Sequence, residues 1–567
     1  MIFKKNAVKI TALGLALACM LLLAPVTTQA VDLPNDTVRI GLYYGSNTLV
    51  AANLQNVDGF GGGFEFGYFD PDTREFSSLG VTTQETKISM LRDKNMYYRS
   101  SDNTYVDSAV SDIVVGCFHV ILPGGYSDYY SAQQVAQNYN DGFVKYDNGT
   151  FYACFGDYTT RSRAQEEANA VGASVTEGTT YTIAIAATGT GRVLFEFDGG
   201  ANRALGVRPL QNNANRPKTW FKGYQYYGAF QYYRVDGGDM RVINFVNAED
   251  YIRGVLPQEM SPNWPLEALK AQAVCARTYA MSKLGSHGGS GFDLCPTTHC
   301  QMYIGVGTTN DRIDQAVDET SGEYVMYNGE LCETYYSSSC GGATENSENV
   351  WAQARPYLRG VVDIYEQDLA NKIPDYFWTV KYTPSELTTR MRNRGLNCGT
   401  ITSLTVSEFT ENGNVLSVTM KDSNGRSWTF RKDEARIALG TRSLRFTIGG
   451  GSQPGPVPQQ DRTIYVNGGE VLNDGATYAM DENGNTVKLP AGDVYAITGD
   501  GEITTIGPER PTTESSPDGK INGVFVLSGT GWGHNVGMSQ YGAYAMAERG
   551  LTYRDIIHFY YTGVTIG

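Results

Sequence analysis

Positive charge is in short supply: 45 lysines and arginines face 60 aspartates and glutamates, for a formal net charge of −15. So acidic a chain repels polyanions over most of its surface, which excludes DNA and RNA as expected partners and leaves neutral polymers such as sugars open. Long apolar runs are missing after the first 30 residues, so no membrane-spanning helix is expected in the body of the chain. Histidine occurs five times and cysteine nine times in 567 residues. That cysteine density is far below a disulfide-built scaffold, so bridges are permitted but do not define the fold. Charged residues at 19% and aromatics at 12% exclude a disordered chain.

What is present begins with Lys4, Lys5 and Lys9 ahead of an apolar run from Ile10 to Leu23, then Thr28-Gln29-Ala30. Residues 1–30 read as a secretory signal peptide, or as a membrane anchor if left uncleaved. The remainder is expected outside the cytoplasm, secreted or at the cell wall. Its length implies two or more compact units, and the fold class expected is α+β. Residues 31–110 read as β-rich. "ILPGGYSDYYSAQQVAQNY" (Ile121 to Tyr139) and "ACFGDYTTRSRAQEEANAV" (Ala153 to Val171) repeat one strand, turn and helix pattern, which makes 111–178 a duplicated α+β module. "FYACFGDYTTRSRAQEEANAV" resembles the SPOR family, and that resemblance implies binding of glycan strands stripped of their stem peptides.

Alternating segments such as "RVLFEFDGG" and "MRVINFVN" then predict strands of a mixed sheet, and Asn247 is expected to cap a short helix that Gly254 ends. Two Asn-Gly turns between 403 and 440 predict a meander. Residues 451–518 read as a Gly/Pro linker with a small β insert. From 519 to 567 the chain is expected to rejoin the main domain that occupies 190–450.

Within "GVLPQEMSPNWPLEALKAQAVCARTYA", Gly254 to Ala280, a lone acid, Glu259, stands in a short connection ahead of a long helix. Leu266, Leu269, Ala273, Ala276, Ala280 and Leu284 recur at helical spacing, with Pro265 suited to the first turn. Among Leu256, Pro257, Met260 and Trp264 a carboxylate loses hydration, and its pKa rises above the usual value of about 4.3. A glutamate that keeps its proton near neutral pH can protonate a departing glycosidic oxygen. The residues equally allow Glu259 to cap the next turn or to pair with Arg253 or Arg277.

His287, Cys295, His299 and Cys300 lie together in "SHGGSGFDLCPTTHCQMYIG" and offer the imidazole and thiolate ligands that tetrahedral zinc prefers. A Cys295–Cys300 disulfide is the alternative. In "GTGWGHNVGMSQYG" glycines permit close approach of backbone to a ligand, while His534, Asn535, Gln540 and Tyr541 supply groups for sugar hydroxyls and acetamides. "SSSCGGATEN" reads as a second loop of the groove, with Ser338, Ser339 and Gly341 on its wall. Either loop could also be a tight turn that merely packs.

Three blocks, "NAEDYIRGVLPQEMSPNWPLEALKAQAVCARTYAMSKL", "YYSSSCGGATENSENVWAQARPYLRGV" and "GTGWGHNVGMSQYGAYAMAERGLTYRDIIHFYYTGVTI", resemble the SpoIID/LytB family in order. The resemblance implies a SpoIID-type lytic transglycosylase, with Glu259 as the acid and base that cleaves peptidoglycan glycan strands to anhydro-muramic ends. It implies a structural zinc, for which His299 and Cys300 of "THCQMY" match the family's ligand segment best. It also implies a wall amidase as partner, in sporulation or wall remodelling. The alternative within the family is a noncatalytic enhancer of an amidase. Cys340 departs from the family pattern, and is either a free thiol or bridged to Cys332.

Overall fold

A period-two apolar pattern fills the first half of the chain, so every second side chain enters a core and the segments form strands. The computed structural model describes residues 36–212, 215–367, 369–450 and 516–567, with the backbone of six short strands between 464 and 506. The expected signal peptide lies outside the described residues, as does most of the expected linker.

In chain order come β1 (Thr37–Tyr43), β2 (Ala51–Asn56), β3 (Phe64–Phe69), β4 (Phe76–Thr83) and β5 (Lys87–Arg92). A small sheet follows, of β6 (Met96–Arg99), β7 (Thr104–Val106) and β8 (Val114–Val115). Next are β9 (Phe118–Ile121), α1 (Tyr129–Ala136), β10 (Gly142–Asp147), β11 (Thr150–Tyr158), α2 (Arg161–Val171) and β12 (Ser174–Glu177). The half closes with β13 (Ile183–Ala187), β14 (Val193–Asp198), β15 (Leu205–Pro209), β16 (Thr219–Phe221), β17 (Tyr224–Tyr226), β18 (Ala229–Arg234) and β19 (Met240–Asn247). Six strands form one sheet in the order β1-β19-β18-β15-β3-β4, and ten form another, β12-β9-β11-β10-β14-β13-β5-β2-β16-β17. The sheets share a core in which the Phe66 and Phe195 rings lie 5.8 Å apart.

The repeat read from the sequence becomes a β-α-β-β-α-β unit, β9 to β12, whose strands pair antiparallel in the order β12-β9-β11-β10. Helices α1 and α2 cover one face through Ala136 and Ala168, against Val120, Ala153 and Phe155. The opposite face is closed too. His119, Phe143, Lys145 and Cys154 are buried there, and Met96, Tyr105 and Val115 of β6–β8 pack over that face. Pairing of β10 with β14 in parallel joins the unit to the larger sheet.

The Asn247 side chain accepts the Glu249 N–H and opens α3 (Ala248–Glu259). Contrary to the sequence expectation, this helix does not stop at Gly254 but runs through Pro257 to Glu259. Gly254 serves close packing instead: a Cβ there would lie 2.5 Å from the Tyr303 ring and 2.7 Å from the Gly305 carbonyl. The long helix α4 (Leu266–Ser282) packs against α3, α5 (Asp311–Asp318), α10 (Gln540–Glu548) and α11 (Tyr553–Tyr560). Its alanines permit these close approaches; Ala268, Ala271, Ala273 and Ala276 are fully buried.

Between α5 and α10 lie β20 (Val325–Tyr327), β21 (Glu330–Leu331), β22 (Tyr336–Ser337), α6 (Ser347–Val350), α7 (Ile364–Gln367), β23 (Phe377–Tyr382) and α8 (Pro384–Asn393). The meander is β24 (Ile401–Phe409), β25 (Val415–Asp422) and β26 (Ser427–Arg431), followed by α9 (Asp433–Leu439) and β27 (Phe446–Ile448). Three hairpins follow, of β28 (Ile464–Val466) with β29 (Gly469–Val471), β30 (Tyr478–Met480) with β31 (Thr486–Lys488), and β32 (Val494–Ile497) with β33 (Ile503–Ile506). After β34 (Lys520–Ile521), β35 (Val524–Thr530) inserts between β23 and β27, so the chain returns to the sheet it left. Strand β36 (Met538–Ser539) pairs in parallel with β22, and β37 (Thr565–Ile566) pairs with β20.

This return is tightly packed. A Cβ on Gly542 in α10 would fall 1.8 Å from the Tyr560 hydroxyl and 2.2 Å from Asp363 Oδ2. Gly542→Ala is therefore expected to lower the unfolding free energy by about 2 kcal/mol, measured by denaturant titration, through overpacking of a site that cannot give way.

Candidate active site

Glu259 ends α3, half-buried, and its carboxylate accepts hydrogen bonds from the Met302 N–H, the Tyr336 hydroxyl and, at 3.4 Å, Gln540 Nε2. Neither arginine considered as its partner reaches it. Arg253 engages Asp250, Asp314 and Asp318, and Arg277 engages Glu249. Burial raises the Glu259 pKa above the ordinary glutamate value, and the three hydrogen bonds, which favour the charged form, offset this only in part.

Shortly after the acid in sequence, Trp264 joins an aromatic cluster with two tyrosines of α10. The Trp264 ring lies 4.9 Å from Tyr541 and 5.2 Å from Tyr544, and Arg312 Nη2 holds the Trp264 carbonyl at 2.7 Å. Partly exposed aromatic faces of this kind suit an apolar ring face such as that of a sugar.

The residues expected to bind substrate divide into two groups. Ser338 and Tyr541 are half-buried and meet through the Tyr541 N–H and the Ser338 carbonyl at 3.0 Å, while Gln540 touches Glu259 directly. The others are engaged within the scaffold. Asn535 is 0% exposed, and its Nδ2 donates to the Cys340 carbonyl at 2.7 Å. His534 accepts the Val536 N–H on Nδ1 at 3.1 Å, meets the Tyr336 backbone, and lies tilted against Trp351 with ring centroids 5.0 Å apart. Burial pushes its pKa down to about 4, so it stays neutral. Ser339 and Gly341 are buried against Glu366, an acid the sequence did not single out.

Glu366 is 0% exposed and accepts from the Ser339 and Ser539 hydroxyls, the Cys340 thiol, and the Cys340 and Gly341 N–H groups, the last two at 3.0 Å. Next to it, burial and the Glu366 charge push Asp363 up to about 7, and the Tyr560 hydroxyl donates to Asp363. Cys340, Asp363 and Glu366 are close enough for a metal, yet their oxygens already receive N–H and O–H donors, which an ion would have to displace. Every cysteine among the described residues is a free thiol, Cys340 and Cys332 included.

His287, Cys295, His299 and Cys300 do converge, with all ligand atoms within 4.8 Å of one another. Cys300 Sγ lies 3.4 Å from His287 Nε2 and 3.5 Å from His299 Nδ1, and Cys295 Sγ lies 3.6 Å from His299 Nδ1. A tetrahedral ion with bonds of normal length to sulfur and nitrogen sets that edge at about 3.6 Å, so the four residues fit one metal ion. Burial alone would raise the Cys295 thiol; hydrogen bonds from Thr297, Cys300 and His299 bring it to about 6. The loop is anchored by buried Asp293, which pairs with Arg39 and Arg74 at 2.9 Å each.

Against this geometry the similarity to known proteins can be placed. The SpoIID family profile, described as Stage II sporulation protein, matches residues 236–327, which include Glu259 and all four potential metal ligands. An uncharacterized protein of Brachyspira hyodysenteriae is 31% identical over 345 residues, covering 61% of this chain and 73% of that protein. The chain belongs to the SpoIID/amidase enhancer family. The amidase enhancer of Bacillus subtilis is 31% identical over 315 residues, 56% of this chain and 40% of the enhancer. Stage II sporulation protein D of the same organism is 26% identical over 333 residues, 56% of this chain and 74% of that protein. Membership places the chain among cell-wall proteins, and no helix among the described residues is long and apolar enough to cross a membrane.

Sequence reasoning missed Met302, Tyr336, Gln301 and Gln272 around the acid, and Glu366 behind the loops. Only Gln301 and Met302 carried a local signal, since they directly follow the potential ligand Cys300. Glu366→Leu is expected to cost about 3 kcal/mol or more in denaturant unfolding, because it leaves four or more buried donors without an acceptor. Glu366→Gln, which retains one acceptor oxygen, should cost less.

Proposed function

We propose that the protein is a lytic transglycosylase that cuts the β-1,4 bond between N-acetylmuramic acid and N-acetylglucosamine in peptide-free peptidoglycan strands. The observation that carries this reading is Glu259 itself: half-buried, raised in pKa by burial, without an ion-pair partner among the described residues, and held by Gln540, the neighbour of Tyr541 in the Trp264 aromatic cluster. Protonated Glu259 gives its proton to the leaving glycosidic oxygen. The resulting carboxylate, met by Met302 N–H, Tyr336 O–H and Gln540 Nε2, takes the proton from the muramic acid 6-hydroxyl. That oxygen closes on the anomeric carbon, leaving a 1,6-anhydro end and returning Glu259 to its acid form. An internal nucleophile removes the need for the second carboxylate of ordinary glycosidases. Ser338, Gln540 and Tyr541 are assigned to the groove that holds the strand.

His287, Cys295, His299 and Cys300 would hold zinc, which four protein ligands close off from water and so restrict to a structural role. The β9–β12 unit is assigned to retaining the strand. With both faces of its sheet covered, contact falls to its rim, where edge strand β12 and Tyr130, 65% exposed, are available. The protein acts outside the cytoplasm on strands that a wall amidase has cleared of peptides. A second reading, a noncatalytic enhancer of such an amidase, draws on the 31% identity with the Bacillus subtilis amidase enhancer.

Mass spectrometry of amidase-treated glycan strands incubated with the full chain decides between them. Anhydro-muramic ends are expected from the wild type and none from Glu259→Gln. Ends from neither protein, with amidase stimulation by both, would leave the enhancer. Because burial raises its pKa, Glu259 should keep its proton above the ordinary glutamate range, so kcat/KM should fall only as pH rises through that raised value. Metal analysis is expected to find one zinc per chain, lost in Cys300→Ser together with about 5 °C of thermal midpoint.

A further inference from the structure

One path of hydrogen bonds leads from Glu259 through Tyr336 into the helical core. The Tyr336 hydroxyl donates to Glu259, and its oxygen accepts from Gln301 Nε2 at 3.0 Å. The same Nε2 donates to the Ala276 carbonyl of α4 at 3.2 Å, and Gln301 Oε1 accepts from the Tyr251 hydroxyl of α3 at 3.2 Å. Tyr251 and Gln301 are buried. A carbonyl only accepts, so the Ala276 oxygen fixes which end of the amide carries hydrogens, and the Tyr251 hydroxyl satisfies the other end. With its lone pair taken by Gln301, the Tyr336 hydroxyl keeps its own proton for the carboxylate. Neighbours in sequence complete the connection: Cys300 precedes Gln301, and Met302, the next residue, donates its N–H to Glu259.

We propose that Gln301 is a positioning residue for Glu259, aiming the Tyr336 hydroxyl at the carboxylate and tying the acid to the His/Cys loop through consecutive residues. The inference rests on Glu259 being the reactive acid of the proposed function. Two ionisable groups coupled to Glu259 are Tyr251 and Tyr336, both held well above the ordinary tyrosine value by burial.

The test is an NMR titration of the full chain carrying carboxyl-labelled [13C]glutamate, with the Glu259 signal identified by its loss in Glu259→Gln. Removing a hydrogen bond to a charged carboxylate disfavours that form, so Gln301→Met and Tyr336→Phe should each raise the Glu259 midpoint by about half a pH unit or more. The double variant should move no further than Tyr336→Phe alone, since both changes remove one interaction. A wild-type midpoint in Gln301→Met, or shifts that add in the double variant, would overturn the proposal. Should Gln301→Met not fold, Tyr251→Phe releases the amide while leaving it in place; a smaller upward shift supports the proposal and an unchanged midpoint overturns it. The titration needs no turnover, so absence of anhydro ends would sink the transglycosylase reading without deciding this one. In active protein the same variants should move the alkaline limb of kcat/KM upward and leave KM unchanged.

Discussion

A carboxylate with no access to water, that of Glu366, joins two loops that lie far apart in the chain. Burying an ionised carboxylate is expensive, and the cost is offset only where donors surround it. Here the donors come from Ser339, Cys340, Gly341 and Ser539, so one acid ties the loop after β22 to the start of α10 nearly two hundred residues later. The low-dielectric surroundings that make an unpaired acid costly strengthen each of these bonds once made. Asp363, pushed up to about 7 beside Glu366 and fed by Tyr560, extends the same network to α11.

The two acids illustrate how environment divides labour between identical side chains. Glu366 is enclosed by donors and reaches nothing outside the protein. Glu259 is only partly buried, and burial outweighs its three hydrogen bonds. Their positions are nevertheless linked, because Ser539 holds Glu366 while the next residue, Gln540, donates to Glu259. A carboxylate held in this way by neutral donors keeps one geometry without an ion pair, which would have lowered its pKa.

What the sequence disclosed follows the range of each interaction. Local periodicity revealed the duplicated unit, the meander, the Asn247 cap and the long alanine-rich helix, since each depends on neighbours in the chain. The end of α3 was misjudged because a glycine needed for packing against Tyr303 looks the same as one that stops a helix. The four potential metal ligands stood out as rare residues at close spacing. Glycine-rich loops, by contrast, could not announce which of their polar residues turn inward: Asn535 and His534 serve the scaffold, whereas Ser338 and Tyr541 stay near the surface. The partners of Glu259 come from positions 302, 336 and 540, and no local pattern relates these to residue 259.

The β9–β12 unit shows how an added element changes what a sheet can do. A four-stranded sheet with helices on one side leaves its other face free to meet a flat polymer. In this chain β6–β8 cover that face, and beneath them Lys145 and Glu196 pair at 2.6 Å with His119 alongside, an arrangement that would be strongly screened if water entered. Burial and the Glu196 charge push Asp93, at the rim of this cluster, up to about 7. The cover and the ion pair therefore depend on each other: the small sheet keeps the pair dry, and the pair leaves few unsatisfied charges under the small sheet. A unit built this way is fixed to the larger sheet through β14 and presents only edges and helices outward.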